Sequence, residues 1–214
     1  MRNIVKGKEP KSLEEYRCSA AADYDGFPDK QNLREELVKE QRGLCCYCLS
    51  RIAADSQKMK IEHWQCQSRF PEQQLLYANL LGACVGGGAE KPPRLQHCDT
   101  RKGNQTLSMN PADPAHDVER VLHYDKDGTI RSTDPIFDQE INQILNLNLP
   151  LLKNNRKTLL QRFILEGPKH GNWNDGWFEK KLVEWSGDAD GGELKEYCQV
   201  VVYWLRKRLK RKIQ

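Results

Sequence analysis

Several features are missing from this sequence, and each absence argues against a class of function. No segment approaches the roughly 18 consecutive apolar residues of a membrane-spanning helix, so we expect no membrane partner. The first residues carry no apolar run behind their charges, which argues against a secretory signal peptide and favours a cytoplasmic protein. The glycine-rich stretch 85–93 lacks the Lys-Ser/Thr ending of a phosphate-binding loop, so the sequence indicates no ATPase activity of its own.

Net charge is modest as well. The 214 residues carry a formal net charge of +4, which permits a nucleic-acid partner without requiring one. The positive charge is concentrated near the end of the chain, where six of the seven residues in 206–212 are basic. Such a run can bind phosphates, but it equally suits the negative end of a helix dipole. The candidate nucleic-acid contacts are Lys102, Arg206, Lys207, Arg208, Lys210, Arg211 and Lys212.

The eight cysteines are the most informative residues that are present. Disulfide frameworks are rare in cytoplasmic proteins, and Cys-x-x-Cys spacing favours metal binding instead. Two ligand exchanges stay open on sequence alone, Cys46 for Cys45 and His97 for Cys98. The predicted ligands of a tetrahedral four-thiolate zinc site are a Cys-x-x-Cys pair and two later cysteines, namely Cys45, Cys48, Cys84 and Cys98.

Polar residues suited to hydrolytic chemistry lie between these cysteines. Glu62 and His63 are neighbours in a predicted strand at 58–64, and neighbours on a strand point to opposite faces, so a twist is needed for them to share a site. Given that twist, Glu62 can ligate a hard divalent ion while His63 takes a proton from water. Asp99 is the natural second oxygen ligand. Asn79 can hydrogen bond to the loop that positions His63 and hold it in place.

Outside this block the residue pattern predicts mostly helices. An amphipathic helix is predicted over 30–42 with Gly43 at its end, and a shorter helix earlier in the chain has Ser12 as its predicted N-cap. A helix is also predicted to begin near Asp99. The segment 125–128 predicts the turn of a β-hairpin. Beyond it, apolar residues at helical spacing predict helices over 137–147, 150–165, 175–184 and 192–211.

The order of these motifs resembles a known enzyme family. Cys-x-x-Cys, then Glu-His, then Asn-Leu-Leu-x-x-Cys, then Cys-Asp-x-x-Lys-Gly is similar to the HNH endonucleases, which have a ββα-metal fold, over about residues 43–106. The resemblance implies that His63 is the general base and that Asn79 has a structural role. Glu62 and Asp99 would hold a catalytic Mg²⁺ or Mn²⁺. The family usually has His or Asn where Asp99 stands, so Asn104 is a rival ligand.

A wider resemblance implies a biological setting. Residues 4–17, the Leu-Asn-Leu-Asn at 145–148 and Arg156 resemble the PtuB family, the HNH nuclease subunits of Septu anti-phage systems, which also occur beside retrons. This resemblance implies an ABC-type ATPase partner (PtuA-like) and a nucleic-acid substrate. In a retron setting it also implies a reverse transcriptase with its msDNA.

These observations predict an α+β protein with a small ββα-metal HNH core and a structural zinc knuckle, embedded in a mostly α-helical chain. The predicted units are an N-terminal arm and helix at 1–42, the core at 43–110 and a mainly helical extension at 111–214. The predicted function is metal-dependent hydrolysis of phosphodiester bonds. Two alternatives stay open: a non-catalytic zinc-binding module that recruits nucleic acid or a partner, and a zinc-dependent structural adaptor for the ATPase.

Overall fold

Helices and two small antiparallel sheets make up the fold in the computed structural model, which describes residues 1–88, 90–168, 173–187 and 191–210. The prediction that the chain combines helices with a small amount of sheet is confirmed. The helices are α1 (Lys11–Arg17), α2 (Lys30–Glu40), α3 (Cys98–Lys102), α4 (Val118–Val121), α5 (Pro135–Gln143), α6 (Pro150–Leu165), α7 (Asp175–Ser186) and α8 (Cys198–Lys210). The strands are β1 (Met59–His63), β2 (Leu80–Cys84), β3 (Leu122–Tyr124) and β4 (Ile130–Ser132).

The sheet formed by β1 and β2 carries most of the predicted site. The two strands pair antiparallel, with Glu62 opposite Leu81 and His63 opposite Leu80. The two faces of the sheet are buried against different neighbours, because alternate residues of a strand point to opposite sides. Leu81 packs into the hydrophobic cluster that contains the cysteines, whereas Leu80 and Ile61 pack against apolar residues of α1 and α2.

The helix that leads into the cysteine segment forms as predicted. α2 begins after Asp29, whose carboxylate accepts a hydrogen bond from the backbone N–H of Asn32. Gly43 follows the helix with φ 77°, a left-handed conformation that glycine adopts at little cost. The prediction that Ser12 is the N-cap of the first helix is wrong. α1 starts at Lys11 with Pro10 as its N-cap.

The extension contains the predicted hairpin and helices. β3 and β4 pair antiparallel around the 125–128 turn. α6 has its predicted bounds, and the ends of α5 and α7 lie within four residues of theirs. α8 begins at Cys198, six residues later than predicted from residue 192. The intervening backbone binds the core instead, since the N–H of Leu194 donates to the carbonyl of Arg42 and that of Tyr197 to the carbonyl of Leu49.

The extension and the cysteine segment share one hydrophobic core. A single buried cluster contains Cys45 and Leu81 together with Phe137, Ile141 and Leu145 of the extension. Burying a side chain of this size contributes roughly 1.5–3 kcal/mol each, so the packing across this boundary is substantial. The N-terminal arm adds a further link, because the N–H of Ile4 donates to the carbonyl of Pro111. No helix in the described part of the chain is long and apolar enough to cross a bilayer.

Candidate metal centre and neighbouring polar site

The four predicted cysteine ligands come together from three separate segments. Cys45 and Cys48 lie in the tight turn after α2, Cys84 ends β2 and Cys98 begins α3. All four are buried, and none is in a disulfide. Their Sγ atoms all lie within 4.8 Å of one another.

The distances between these sulfur atoms fit a tetrahedral zinc ion. Four Zn–S bonds of about 2.3 Å place neighbouring sulfurs about 3.8 Å apart. The Sγ–Sγ distances are 3.9 Å for Cys45 and Cys98 and 3.7 Å for Cys48 and Cys84. Burial alone would raise the pKa of Cys45, but S–H donation from neighbouring thiols lowers it well below its usual range, which favours a thiolate. The cluster could therefore hold a metal such as zinc.

The backbone around the cluster is held in conformations that place the sulfurs. Cys98 has φ 55°, a left-handed conformation that costs a non-glycine residue on the order of 1–2 kcal/mol. A hydrogen bond from the Cys98 N–H to the carbonyl of Leu145 holds it there. In the tight turn, the N–H of Leu49 donates to the carbonyl of Cys45. Backbone strain of this kind persists only where the surrounding structure holds it in place, and it is common at ligand-binding sites.

The two ligand exchanges left open by the sequence are not favoured by the structure. Cys46 is buried beside Cys45 but is not a member of the four-sulfur group, and burial raises its pKa well above the usual range. His97 also stands outside the group. Its Nδ1 lies 3.2 Å from Sγ of Cys98 and 3.9 Å from Sγ of Cys84, at the periphery of the cluster.

Glu62 lies on the face of β1 that meets α3. Its side chain is 2% exposed, and its Oε1 is 2.8 Å from Nζ of Lys102. The hydroxyl of Tyr47 donates to the same oxygen at 2.7 Å. Lys102 also donates to the carbonyl of His63 at 3.0 Å, so this buried ammonium ties α3 to both residues of the Glu-His pair.

The carboxyl groups of Glu62 and Asp99 are near enough to shift each other's pKa. Burial raises the pKa of Glu62 well above its usual range, and Asp99 adds to this effect while Lys102 opposes it. Burial would likewise raise the pKa of Asp99, but hydrogen bonding with Glu62 and the ammonium of Lys60, 3.1 Å away, lowers it. Two carboxylates this close repel unless a proton or a cation lies between them. Their chemistry suits Mg²⁺, which is held by one or two carboxylates and otherwise by water and phosphate.

His63 points to the opposite face of β1 from Glu62, as neighbouring strand residues do. Its ring packs edge-on against Tyr24, with centroids 4.4 Å apart, and its Nε2 donates to the carbonyl of Gln74 at 3.0 Å. This assignment leaves Nδ1 as the acceptor. Desolvation lowers the pKa of His63, so the imidazole is neutral at pH 7. Among the described residues, no hydrogen bond joins the His63 ring to Glu62 or Asp99, and none of these three residues belongs to the group of possible metal ligands that the cysteines form.

Asn79 binds the loop that follows His63. Its Oδ1 accepts from the N–H of Gln65 at 2.7 Å, and its Nδ2 donates to the carbonyls of Gln65 and Gln73 at 3.0 and 3.1 Å. The backbone carbonyl of Asn79 accepts from the N–H of Trp64. These hydrogen bonds join Asn79 to the backbone of the loop that follows His63. Of the two rival oxygen ligands, Asp99 lies near Glu62, whereas Asn104 is exposed on the loop after α3.

Two expectations about basic residues need correction. Lys102 is not on the surface. Its side chain is 0% exposed and its ammonium pairs with the buried carboxylate of Glu62, so no phosphate can reach it. The basic run in α8 is not a uniform patch either. Arg206 pairs with Glu119 at 3.0 Å, whereas Lys207 and Arg208 lie over the rings of Tyr203 and Trp204. The other members of the predicted patch lie outside the described residues, namely the side chain of Lys210 and residues Arg211 and Lys212.

Three contributors to the site were missed by reasoning from sequence. Tyr47 lies between the Cys-x-x-Cys ligands, and its position next to Cys48 was the only available signal. Lys60 precedes Glu62 by two residues, so the strand periodicity that places both on one face could have identified it. The carbonyl of Gln74, which binds His63, comes from a loop and has no signal in the sequence.

Comparison with protein-family models finds no match for the chain, and comparison with curated proteins finds none either.

Proposed function

We propose that this chain is a metal-dependent endonuclease of the HNH type that hydrolyses phosphodiester bonds of nucleic acid. The observation that carries the proposal is the proximity of the carboxylates of Glu62 and Asp99 beside the four-cysteine cluster. The buried carboxylate of Glu62 from β1 and the partly buried carboxylate of Asp99 from α3 together suit a hard divalent ion. The ββα-metal core is part of the same proposal, supported by the antiparallel β1–β2 pair with α3 packed against it.

His63 acts in this proposal as the general base. Its Nε2 is held by the carbonyl of Gln74, so Nδ1 can accept a proton from the attacking water. A lowered pKa keeps the ring in the neutral form that a base requires at pH 7. Asn79 holds the loop immediately after His63 and thereby fixes the direction of the ring.

His63 and the two carboxylates lie on opposite faces of β1, so the twist that a shared site requires is not present in this structure. The attacking water and the leaving oxygen lie on opposite sides of the phosphorus atom. For in-line displacement, the end of β1 would have to turn so that the His63 ring faces a phosphate held at Glu62 and Asp99. A Mg²⁺ or Mn²⁺ ion bound by Glu62 and Asp99 would supply positive charge for the phosphate and the leaving oxygen. The zinc at the cysteines would hold α3 against β2 and keep Asp99 in place.

A single substitution tests the enzymatic part of the proposal. General-base catalysis contributes about 10²–10⁴-fold, so His63→Ala should reduce plasmid nicking or RNA cleavage by that factor in Mn²⁺ or Mg²⁺. Zinc content and thermal midpoint should stay close to those of the wild type. His123→Ala is the matched control, because this half-buried histidine lies in β3, outside the site. Undiminished cleavage by His63→Ala would sink the assignment.

A non-catalytic zinc-binding module is the second candidate. One observation favours it: the ammonium groups of Lys60 and Lys102 already lie 3.1 and 2.8 Å from Asp99 and Glu62 and offset their charge. Under this alternative the wild-type chain binds zinc and nucleic acid but shows no cleavage at any Mn²⁺ concentration. Wild type and His63→Ala would then behave identically in every assay.

The defence setting is also a proposal. It places this chain beside an ABC-type ATPase (PtuA-like) and, in a retron, beside a reverse transcriptase with its msDNA. Support comes from the motif resemblance and from large apolar side chains exposed on the extension, including Ile136 at 62% and Leu151 at 60%. Co-expression with an ATPase encoded next to this gene should give a complex on size exclusion. Separate elution of the two chains at micromolar concentration would contradict this part and leave the nuclease proposal intact.

A further inference from the structure

A groove on the helical extension combines three cationic side chains with aromatic walls. It has a volume of about 200 Å³ and lies between the β3–β4 turn, α6 and α8. Its lining belongs entirely to residues beyond 111, so the groove is distinct from the Glu62–Asp99 site. The side chains that matter here are Lys126, Lys207, Arg208, Tyr124, Tyr203 and Trp204.

In the part of the chain that the structure describes, the cations at this groove have no acidic partner. Lys126, Lys207 and Arg208 are all exposed, and no carboxylate of a described residue forms an ion pair with any of them. Asp125 also lines the groove, but its Oδ2 is 3.0 Å from Nε of Arg131, which neutralises it. The groove is therefore a local concentration of positive charge in a protein whose net charge is only +4.

Aromatic rings lie directly beneath two of these cations. Nζ of Lys207 is 5.8 Å from the ring centroid of Tyr203, and the guanidinium carbon of Arg208 is 4.9 Å from that of Trp204. Tyr203 is half-buried, so part of its ring faces the groove. Positive charge beside exposed aromatic surface is the combination that binds a nucleotide, because the phosphate takes the charge and the base stacks on a ring.

We propose that this groove binds a phosphorylated nucleotide unit, with the phosphate between Lys126, Lys207 and Arg208 and the base against Tyr203. The same chemistry is offered by a single strand of nucleic acid and by a free nucleotide. The proposal deepens the proposed function, and the preference for a strand rests on it, since a nuclease gains a second hold on the strand it cuts. Binding itself requires neither the catalytic metal nor His63.

The test is a binding measurement on the full, zinc-loaded chain without Mg²⁺ or Mn²⁺, so that no cleavage occurs. A fluorescein-labelled 12-nucleotide single-stranded DNA is titrated with protein and followed by anisotropy. The triple variant Lys126→Glu/Lys207→Glu/Arg208→Glu should weaken binding at least about 10-fold, and Tyr203→Ala roughly 5- to 100-fold. Lys39→Glu, an exposed cation on α2, is the matched control and should change the affinity by less than about twofold.

Salt dependence gives a second readout. For the wild type, three phosphate contacts to a single strand predict about an 18-fold loss of affinity between 50 and 200 mM salt. Lys207→Ala leaves two contacts, so its affinity should fall only about 7-fold over the same salt range. The thermal midpoint of every variant is measured to check that it folds. If the triple variant does not fold, the three single substitutions at Lys126, Lys207 and Arg208 replace it in the binding test. An affinity within twofold of wild type for the folded variants, with an unchanged salt slope, overturns the proposal.

Competitors distinguish the ligand sources. Unlabelled oligonucleotide that displaces the probe at micromolar concentration, with deoxyadenosine monophosphate needed at far higher concentration, assigns the groove to a strand. Equal potency of the free nucleotide assigns it to a nucleotide ligand. Equal potency of inorganic phosphate overturns the role given to Tyr203. If the wild-type chain cleaves nucleic acid but does not bind the probe, only the groove proposal fails. If the wild-type chain binds the probe but does not cleave, only the nuclease proposal fails.

Discussion

Replacement of Lys102 by methionine should destabilise the protein strongly, because it leaves a buried carboxylate without its cation. The substitution keeps an unbranched chain of four heavy atoms, which corresponds to the lysine stem, and removes the ammonium. That ammonium is 2.8 Å from Oε1 of Glu62, and the two side chains are 0% and 2% exposed. It also donates to the carbonyl of His63 at 3.0 Å. After the substitution, Glu62 keeps the hydroxyl of Tyr47 but still lies near Asp99.

The expected magnitude follows from the burial of the pair. Removing one partner of a buried ion pair typically costs about 3–5 kcal/mol. Protonation of Glu62, whose pKa burial already raises well above the usual range, limits the loss to the lower end, about 3 kcal/mol. In a protein of this size each kcal/mol shifts the thermal midpoint by about 2–4 °C, so Lys102→Met should melt about 6–12 °C below the wild type.

The assay is urea unfolding of the zinc-loaded chain, with zinc content measured for every variant. Lys11→Met is the control: this lysine pairs with Glu15 at 3.3 Å, but the two side chains are 85% and 65% exposed, so the loss should be at most about 0.5 kcal/mol. Glu62→Gln/Lys102→Met should recover at least about 1 kcal/mol relative to Lys102→Met, because no unpaired charge remains.

Two results would refute this reasoning. One is a loss below about 1 kcal/mol for Lys102→Met, and the other is a double variant no more stable than the single one. A further consequence links the ion pair to the proposed metal. Mg²⁺ should stabilise Lys102→Met more than the wild type, because the ion can replace the missing positive charge between Glu62 and Asp99.

Three further predictions concern the cysteine cluster and the loops around it. Cys48→Ser should lose bound zinc, measured by elemental analysis against about one zinc per wild-type chain, whereas Cys18→Ser, at an exposed cysteine, should retain it; retained zinc in Cys48→Ser would contradict the ligand assignment. Asn79→Ala removes three hydrogen bonds that hold the backbone after His63, so urea unfolding should show a loss of about 1–3 kcal/mol of stability. The same variant should have a reduced kcat with little change in KM. An unchanged kcat would refute its positioning role. Gly86→Ala should lower the free energy of unfolding by more than about 1 kcal/mol, because Gly86 has a left-handed backbone and an added Cβ would collide with the carbonyl of His97. Gly176→Ala in α7 is the control and should leave the thermal midpoint unchanged or raise it. Equal effects of the two substitutions would contradict this prediction.

The sequence was most informative where chemistry fixes the spacing of residues. A tetrahedral metal needs four ligands at one point, so the Cys-x-x-Cys pair pointed to Cys84 and Cys98 as the other ligands, with His97 left as an alternative to Cys98. The strand that carries Glu62 and the start of the helix that carries Asp99 were also predicted from the residues around them. These are short-range signals, and the structure agrees with them.

The sequence was least informative where a side chain depends on distant packing. Lys102 sits in a short charged helix and looks like a surface residue, yet its ammonium is buried because Glu62 arrives from β1. The start of α8 was predicted six residues early, since nothing local shows that the N–H of Tyr197 binds the carbonyl of Leu49. The division of the basic run, with Arg206 on Glu119 and Lys207 in the groove, likewise depends on tertiary contacts.

The spread of the four cysteines along the chain has a consequence for biosynthesis. Cys98 follows Cys45 by 53 residues, so at about 5–20 residues per second the ribosome completes the ligand set roughly 3–11 s after the first thiol is made. During that interval the nascent chain carries thiols that no complete site protects. If the cluster holds zinc, its binding is coupled to folding, and zinc supply should then control how much folded protein a cell accumulates.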